Sequence, residues 1–345
     1  MSKGDIVVLG VNTDNKNNSC SLNESDDYDN IFLVSFKDIG IGEEILITDN
    51  RYNSNNNFGN TEGWLKFKKV NSILEAGTVF RLDIKYNSYV KNTVQNGWEL
   101  TETGGNFGLN VGGDQLFILN KGNWSKGNYK GLEAQLLFGY NTMNLWSNNS
   151  GSSNTILPGT NTSNYNNNFD IRSYHFTPKE GNKRYRFYDG KTTPTSKNEW
   201  FIRLVNPNNW KSFEDGDCSS FISHSQKNEL QKFEIIKQLN EFQKCVNETI
   251  PLSIDLDNST HSIQTNYEWF RVVTPTNIGG TFIGTGRKFN YIETTAGTYY
   301  YYCKITYRLE WNNITANKTN VVNSGYIKVK VNPLPKTSPI KENIQ

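Results

Sequence analysis

The residues best equipped for chemistry are carboxylates. Glu24, Asp26, Asp27 and Asp29 crowd one short segment, and Asp49 and Asp114 add two acids beside turn residues. Oxygen donors of this kind are what calcium collects, about six to eight at a time. Asp26, Asp27 and Asp29 are therefore the candidate metal ligands, although their spacing does not reproduce an EF-hand loop. The plainer reading makes Asp26 to Asp29 a solvated turn before a strand at Ile31, and Asp114 a cap on the hairpin opened by Gly112 and Gly113. Apart from calcium, no cofactor is expected.

Other chemistries find little purchase. The three histidines, His175, His224 and His261, show neither HxH nor HExxH spacing, which argues against zinc catalysis. GxSxG is absent, and Ser150 to Asn154 (SGSSN) reads as a loop instead of a nucleophile elbow. Glu62, Glu133 and Asp170 lie near aromatic residues, as a glycosidase pair would. Carboxylates beside rings are common on β surfaces, so the expectation is no enzyme and no catalytic residue. Trp98, Trp124 and Trp146, with Tyr165 and Tyr174, fall in or beside polar loops, where an exposed ring face can stack on a sugar or anchor a partner. The three tryptophans are the candidate ligand contacts.

Composition says what must position these residues. The apolar fraction is 35% and the aromatic fraction 13%, so Tyr, Phe and Trp supply much of the core. Such residues favour pleated, half-buried surfaces. Only two Met occur, and Asn, Gly and Ser fill the gaps between short apolar runs, which makes the class all-β. With 345 residues, two domains are expected. The formal charge of +2 carries no basic footprint for nucleic acid. No run is long and apolar enough for a membrane helix. The opening MSKGDIVVLGV lacks the length and cleavage site of a secretory signal. Four Cys permit three pairings, and their even number leans toward an oxidising, extracellular setting, with cytosolic assembly as the alternative.

Period-2 apolar runs predict strands at Ile6 to Val11, Ile31 to Phe36, Glu44 to Thr48, Trp64 to Lys68, Thr78 to Ile84, Gln115 to Leu119, Ala134 to Phe138, Arg184 to Tyr188 and Trp200 to Val205. Tyr52 to Asn60 and Trp146 to Phe169 read as long polar loops. Further strands are expected at Leu252 to Leu256, Tyr267 to Val273, Phe289 to Glu293, Tyr299 to Thr306 and Tyr326 to Val331. Gly279 and Gly280 permit a hairpin with positive φ. Between Gln226 and Val246, Leu230, Phe233, Ile236, Leu239, Phe242 and Val246 recur as on an amphipathic helix. A competing reading places an edge strand of a second domain at Phe233 to Ile236. In YEWF and GTYYYYCKIT, Trp269 and Tyr301 are the expected core residues of two facing strands, with alternation sending two of the four tyrosines inward and two outward.

Two resemblances sharpen this picture. CVNETIPLSI at Cys245, YEWF at Tyr267, GGTFIGTG at Gly279, FNYIETTAGTYYYYCKIT at Phe289 and VKVNPLP at Val329 resemble the bacterial immunoglobulin-like modules common in Bacteroidota surface proteins. That likeness implies a bridge between Cys245 and Cys303, and it favours the strand over the helix before Cys245. GDIVVLGVNTDN at Gly4, DDYDNIFLVSFKDIGIGEEILITDN at Asp26, EGWLKF at Glu62, EAGTVFRLD at Glu75, FGLNVGGDQLFIL at Phe107 and NPNNW at Asn206 resemble a bacterial extracellular domain distantly similar to lamin-tail β-sandwiches. The resulting expectation is two β-sandwich domains in series: 1–222 lamin-tail-like, 223–231 a linker, 232–335 immunoglobulin-like and 336–345 an extended tail.

By these likenesses the chain is expected to be a structural or adhesive component of a bacterial surface layer, appendage or fibre. Its expected partners are other protein subunits, as a homo-oligomer or assembly, or a cell-surface glycan. The alternatives are a carbohydrate-binding module and a component of a phage-like contractile injection machine.

Overall fold

The computed structural model describes residues 1, 4–13, 28–53, 57–59, 61–85, 90–110, 114–120, 136–141, 173–175, 185–205, 209–213, 233–236, 238–254, 263–311, 314–315 and 320–335. The chain is all-β, built almost wholly from strands in mostly antiparallel sheets. Its residues group into two compact units, Met1–Ile235 with Leu256–Gln264 and Arg308–Asn320, and Ile236–Asp255 with Thr265–Tyr307 and Val321–Gln345.

The first unit runs through β1 (Ile6–Asn12), β2 (Tyr28–Ser35), β3 (Glu44–Thr48), β4 (Tyr52–Asn53), β5 (Asn57–Phe58), β6 (Trp64–Lys69) and β7 (Val79–Lys85). It continues through β8 (Val94–Gln95), β9 (Trp98–Gly104), β10 (Gln115–Asn120), β11 (Leu136–Asn141), β12 (Ser173–His175) and β13 (Tyr185–Tyr188), then helix α1 (Lys197–Val205) and β14 (Trp210–Phe213). One sheet has the order β14-β13-β1-β2-β7 and the other β12-β11-β10-β3-β6-β9-β8. The sheets meet through rings. Phe80 of β7 stacks on Trp98 of β9 at 5.2 Å, and Tyr140 of β11 meets Trp210 of β14 at 6.0 Å.

The sequence explains why β1 lies centrally. IVVLGVN is apolar almost without alternation, and every one of its residues is buried. A strand that reads this way has both faces covered. Part of the cover over this sheet is α1, whose Phe201 stands edge-on to Phe36 at 5.6 Å and whose Trp200 lies parallel to it at 6.3 Å.

The strand predicted at Trp200 to Val205 is this helix. Its start is a capping box: the Ser196 hydroxyl donates to Glu199 Oε2 at 2.5 Å, and the Ser196 N–H donates to the same oxygen at 3.3 Å. At the other end, Asn209 Nδ2 and Trp210 Nε1 donate to the carbonyls of Arg203 and Leu204. Groups that helix ends leave unsatisfied are thus paired by side chains.

The edge strand expected for a second domain at Phe233 to Ile236 is also corrected. Phe233 is buried in the first unit, 4.9 Å from the Trp200 ring, and Trp200 Nε1 donates to the Glu234 carbonyl. The Tyr52 to Asn60 loop is anchored by β4 and β5, which pair and bury Tyr52 against Phe58 at 4.9 Å.

The remaining strands, most of them in the second unit, are β15 (Gln238–Cys245), β16 (Thr249–Ser253), β17 (Ile263–Val272), β18 (Thr281–Thr285), β19 (Lys288–Ile292), β20 (Gly297–Trp311), β21 (Ile314–Thr315), β22 (Asn320–Asn323) and β23 (Tyr326–Asn332). By the grouping above, the start of β17, the end of β20 and β21 fall with the first unit. The larger sheet has the order β15-β23-β20-β17-β18, with β21 and β22 also on β20, and β16 pairs with β19. Residues 238–245 are strand, paired in parallel with β23, so the helical reading fails there; residues 226–232 lie outside the described residues. Gly279 and Gly280, at φ 75° and 90°, turn the chain between β17 and β18. A Cβ on Gly280 would lie 2.4 Å from the Arg271 carbonyl oxygen.

Trp269 and Tyr301 are both fully buried. Trp269 Nε1 donates to the Gly286 carbonyl at 2.8 Å, and the Tyr301 hydroxyl donates to Glu293 Oε1 at 2.7 Å. Glu293 also pairs with Arg271, whose guanidinium lies 4.2 Å from the centre of the Tyr299 ring. Buried polar atoms are therefore paired along the aromatic core. Of the four tyrosines, Tyr299 and Tyr301 join that core, while on the other face Tyr300 stands against Tyr326 and Tyr302 stacks on Phe270.

Candidate functional site

Among the described residues of the first unit, four acids gather around one loop. Asp29 comes from β2, Asp49 follows β3, Glu62 precedes β6 and Asp114 precedes β10. Asp29, Asp49 and Asp114 hold backbone amides of residues 108–110, and Glu62 accepts from Gln115. Leu109 N–H donates to Asp29 Oδ2 at 2.7 Å, Gly108 N–H to Asp49 Oδ2 at 2.8 Å, and Asn110 N–H to Asp114 Oδ2 at 3.1 Å. Three consecutive amides are thus each held by a different carboxylate. The other Asp49 oxygen accepts Gly63 N–H at 2.8 Å, tying a second turn to the first. That approach explains Gly63: a Cβ there would stand 2.0 Å from the Phe107 amide nitrogen.

Gln115, the first residue of β10, closes the arrangement. Its Nε2 donates to the Asp49 carbonyl and to Glu62 Oε2, the latter at 3.1 Å. Asn50 supports the same turn, with Nδ2 donating to the Gly63 carbonyl at 2.9 Å and Oδ1 accepting Glu62 N–H at 3.1 Å.

Electrostatically the cluster is crowded. Burial pushes the Asp49 carboxyl up to about 8, and the Glu62 charge adds to the rise against the pull of the Gly108 and Gly63 amides. Asp114 is held well above the usual carboxylate range by burial, then by the charges of Asp49 and Glu62. Glu62 is raised by burial, while its Gln115 hydrogen bond and Arg51 oppose the shift. Chemically, the set can grip loops, take up protons or meet a cation.

The candidates named from sequence fare unevenly. Asp29 is buried and spends one oxygen on Leu109, whereas Asp26 and Asp27 lie outside the described residues. Among the described residues, no group of three or more His, Cys, Asp or Glu side chains is placed to hold a metal ion. Trp98 is not a ligand contact: it is 0% exposed, stacked on Phe80 and lying 5.9 Å from Lys69 Nζ. Trp124 and Trp146 lie outside the described residues, as do Tyr165, Glu133, Asp170, His224 and His261.

The Cys245–Cys303 bridge is likewise corrected. Both residues carry thiols, and they sit in one sheet with β23 between their strands. Cys245 is level with Asn332, and Gly297 with Val331, so Cys303 lies six residues further along β20. At roughly 3.4 Å per residue that is about 20 Å. A disulfide needs Cα atoms about 4.4–6.8 Å apart.

Sequence reasoning flagged Asp29, Asp49 and Asp114 but missed that they converge on one loop, and it singled out Glu62 for a different chemistry. Gln115 had no signal beyond a polar residue opening an apolar strand. Among the described residues, no helix is long and apolar enough to cross a membrane. No family model, curated protein or solved structure matches this chain.

Proposed function

We propose that the chain is a non-enzymatic structural or adhesive component of a bacterial surface layer, appendage or fibre, working through contacts with other protein subunits or with a surface. One observation carries this reading most. Between Arg271 and Arg287 no residue is charged, and this stretch exposes Val273, Ile278 and Phe282 at 68%, 73% and 51%. It includes β18, which among the described residues lies at the edge of its sheet. Edge strands usually carry Lys or other charges, or a Pro, that discourage pairing with another chain. Here a bulge opposite Trp269 and Phe270 irregularises the edge, but no charge guards it. The sequence resemblances to surface-protein domains agree with a contact role. Size-exclusion chromatography with light scattering tests it. Self-association, or binding to bacterial surfaces, is the expected result; a monomer at every concentration with no glycan or cell binding overturns it.

A further inference from the structure

The edges of the sheets are protected unequally. Among the described residues, the edge strands of five residues or more are β7, β15, β16, β18 and β19. β7 carries Arg81, Asp83 and Lys85, β15 carries Glu241 and Lys244, β16 carries Pro251 and β19 carries Lys288. Side chains close β7 further: Gln95 accepts from the Asp83 N–H and donates to its carbonyl, and Asn96 donates to the Arg81 carbonyl. β18, TFIGT, has neither a charge nor a proline. Its outer N–H and C=O groups are a template for another strand.

Charge and register choose the strand that fits. Each of the other four edges would bring a charge or a proline against β18, whereas a second β18 brings neither. Phe282 lies opposite Phe270 and Gly284 opposite Trp269, with Ile283 the extra residue of the bulge. Trp269 points into the core, while Phe270 stacks on Tyr302 at 5.3 Å on the other face and meets Phe282 at 5.9 Å. Phe282 therefore faces outward and Gly284 inward. Directly opposed residues of antiparallel strands share a face. Phe282 against Gly284 of a second copy would break that rule, but Phe282 against its own counterpart keeps it. This register extends the row Tyr302, Phe270 and Phe282 into the second molecule and covers a ring that is 51% exposed.

We propose that β18 pairs antiparallel with β18 of a second copy, about a two-fold axis at Phe282, to give a closed dimer. The pairing rests on the contact reading above and names the partner that this surface takes. Because both chains use the same edge, the contact consumes its own template and growth through it stops at two. Head-to-tail growth would need β15 as the receiving edge, and Glu241 and Lys244 guard it.

The test is sedimentation velocity of the full chain at low salt, for wild type, Phe282→Lys, Phe282→Glu and an equimolar mixture of the two variants. Circular dichroism checks that each variant is folded. The wild-type chain is expected to reach a dimer and no larger species. Each variant alone is expected to be monomeric, because like charges meet across the axis, and the mixture to associate at least tenfold more tightly than either variant, one chain of each per dimer. A mixture that stays monomeric, a variant that still dimerises alone, or wild-type species beyond the dimer overturns the two-fold pairing while leaving the contact reading standing. A wild-type monomer at every concentration overturns the pairing as well, and with it the contact reading if glycan and cell binding are also absent.

Discussion

Asp49 and Gly108, separated by 59 positions in sequence, are joined by a 2.8 Å hydrogen bond from the Gly108 amide to the Asp49 carboxylate. Because the other Asp49 oxygen holds Gly63, one side chain fastens two turns that the strand ladders leave unpaired. This bond makes Asp49 the keystone of the acid cluster.

Replacing Asp49 by Ala strands two N–H groups at once. The expected loss is about 2–4 kcal/mol, from the usual cost of unsatisfied buried donors. Asp49→Asn gives little rescue, because its NH2 group must face one of the two amides. Denaturant unfolding measures the loss, and hydrogen exchange of the Gly63 and Gly108 amides, faster in both variants, locates it.

The same carboxyl gives stability a pH dependence. Its pKa lies near 8 in the folded state, above the ordinary 3.8, so the native state holds the proton more tightly. The stability from this group is fully present below about pH 4 and is lost as pH rises through about 8. Asp114 and Glu62 are raised as well and act in the same direction. In EDTA, the unfolding temperature should fall between pH 5 and pH 8.5. A midpoint that rises over this range contradicts the account.

The thiols give a direct chemical readout. Cys245 is half-buried on β15 and Cys303 fully buried on β20. Iodoacetamide should therefore modify Cys245 in the native protein and Cys303 only after unfolding. Peptide mapping without reductant should find no fragment linking them.

Trp98 is a core residue, so Trp98→Ala should cost about 3–5 kcal/mol, the usual range for removing a large buried ring. Urea titration followed by circular dichroism checks the figure. A variant as stable as wild type would contradict the burial of this side chain.

Much of the fold could be read from local pattern. β3 falls at Glu44–Thr48 as the alternation predicts, and β6, β10 and β23 differ from expectation by one residue. The failures have physical causes. WFIRLV in α1 is rich in aromatic and β-branched residues, and its apolar run resembles a buried strand. The SKNE capping box at Ser196 was the available counter-signal. Trp98 follows a turn of polar residues, Asn96 and Gly97, which suggested exposure, but a strand beginning at the turn carries the ring inward. Cys303 was paired by analogy, whereas the separation that forbids the bridge is set by strand register. The acid cluster is harder still, since its members come from four places in the chain and from both sheets of the first unit, and only the strand order and the packing of those sheets bring them together.

The central claim, function through contact, is tested most directly by sedimentation velocity over a concentration series on wild type, Phe282→Lys and Ile278→Asp. Both side chains are exposed on the uncharged stretch, so the variants should fold as wild type does. The account predicts concentration-dependent association of the wild-type chain and a monomer for each variant. A wild-type monomer throughout, or association that both variants retain, would contradict it.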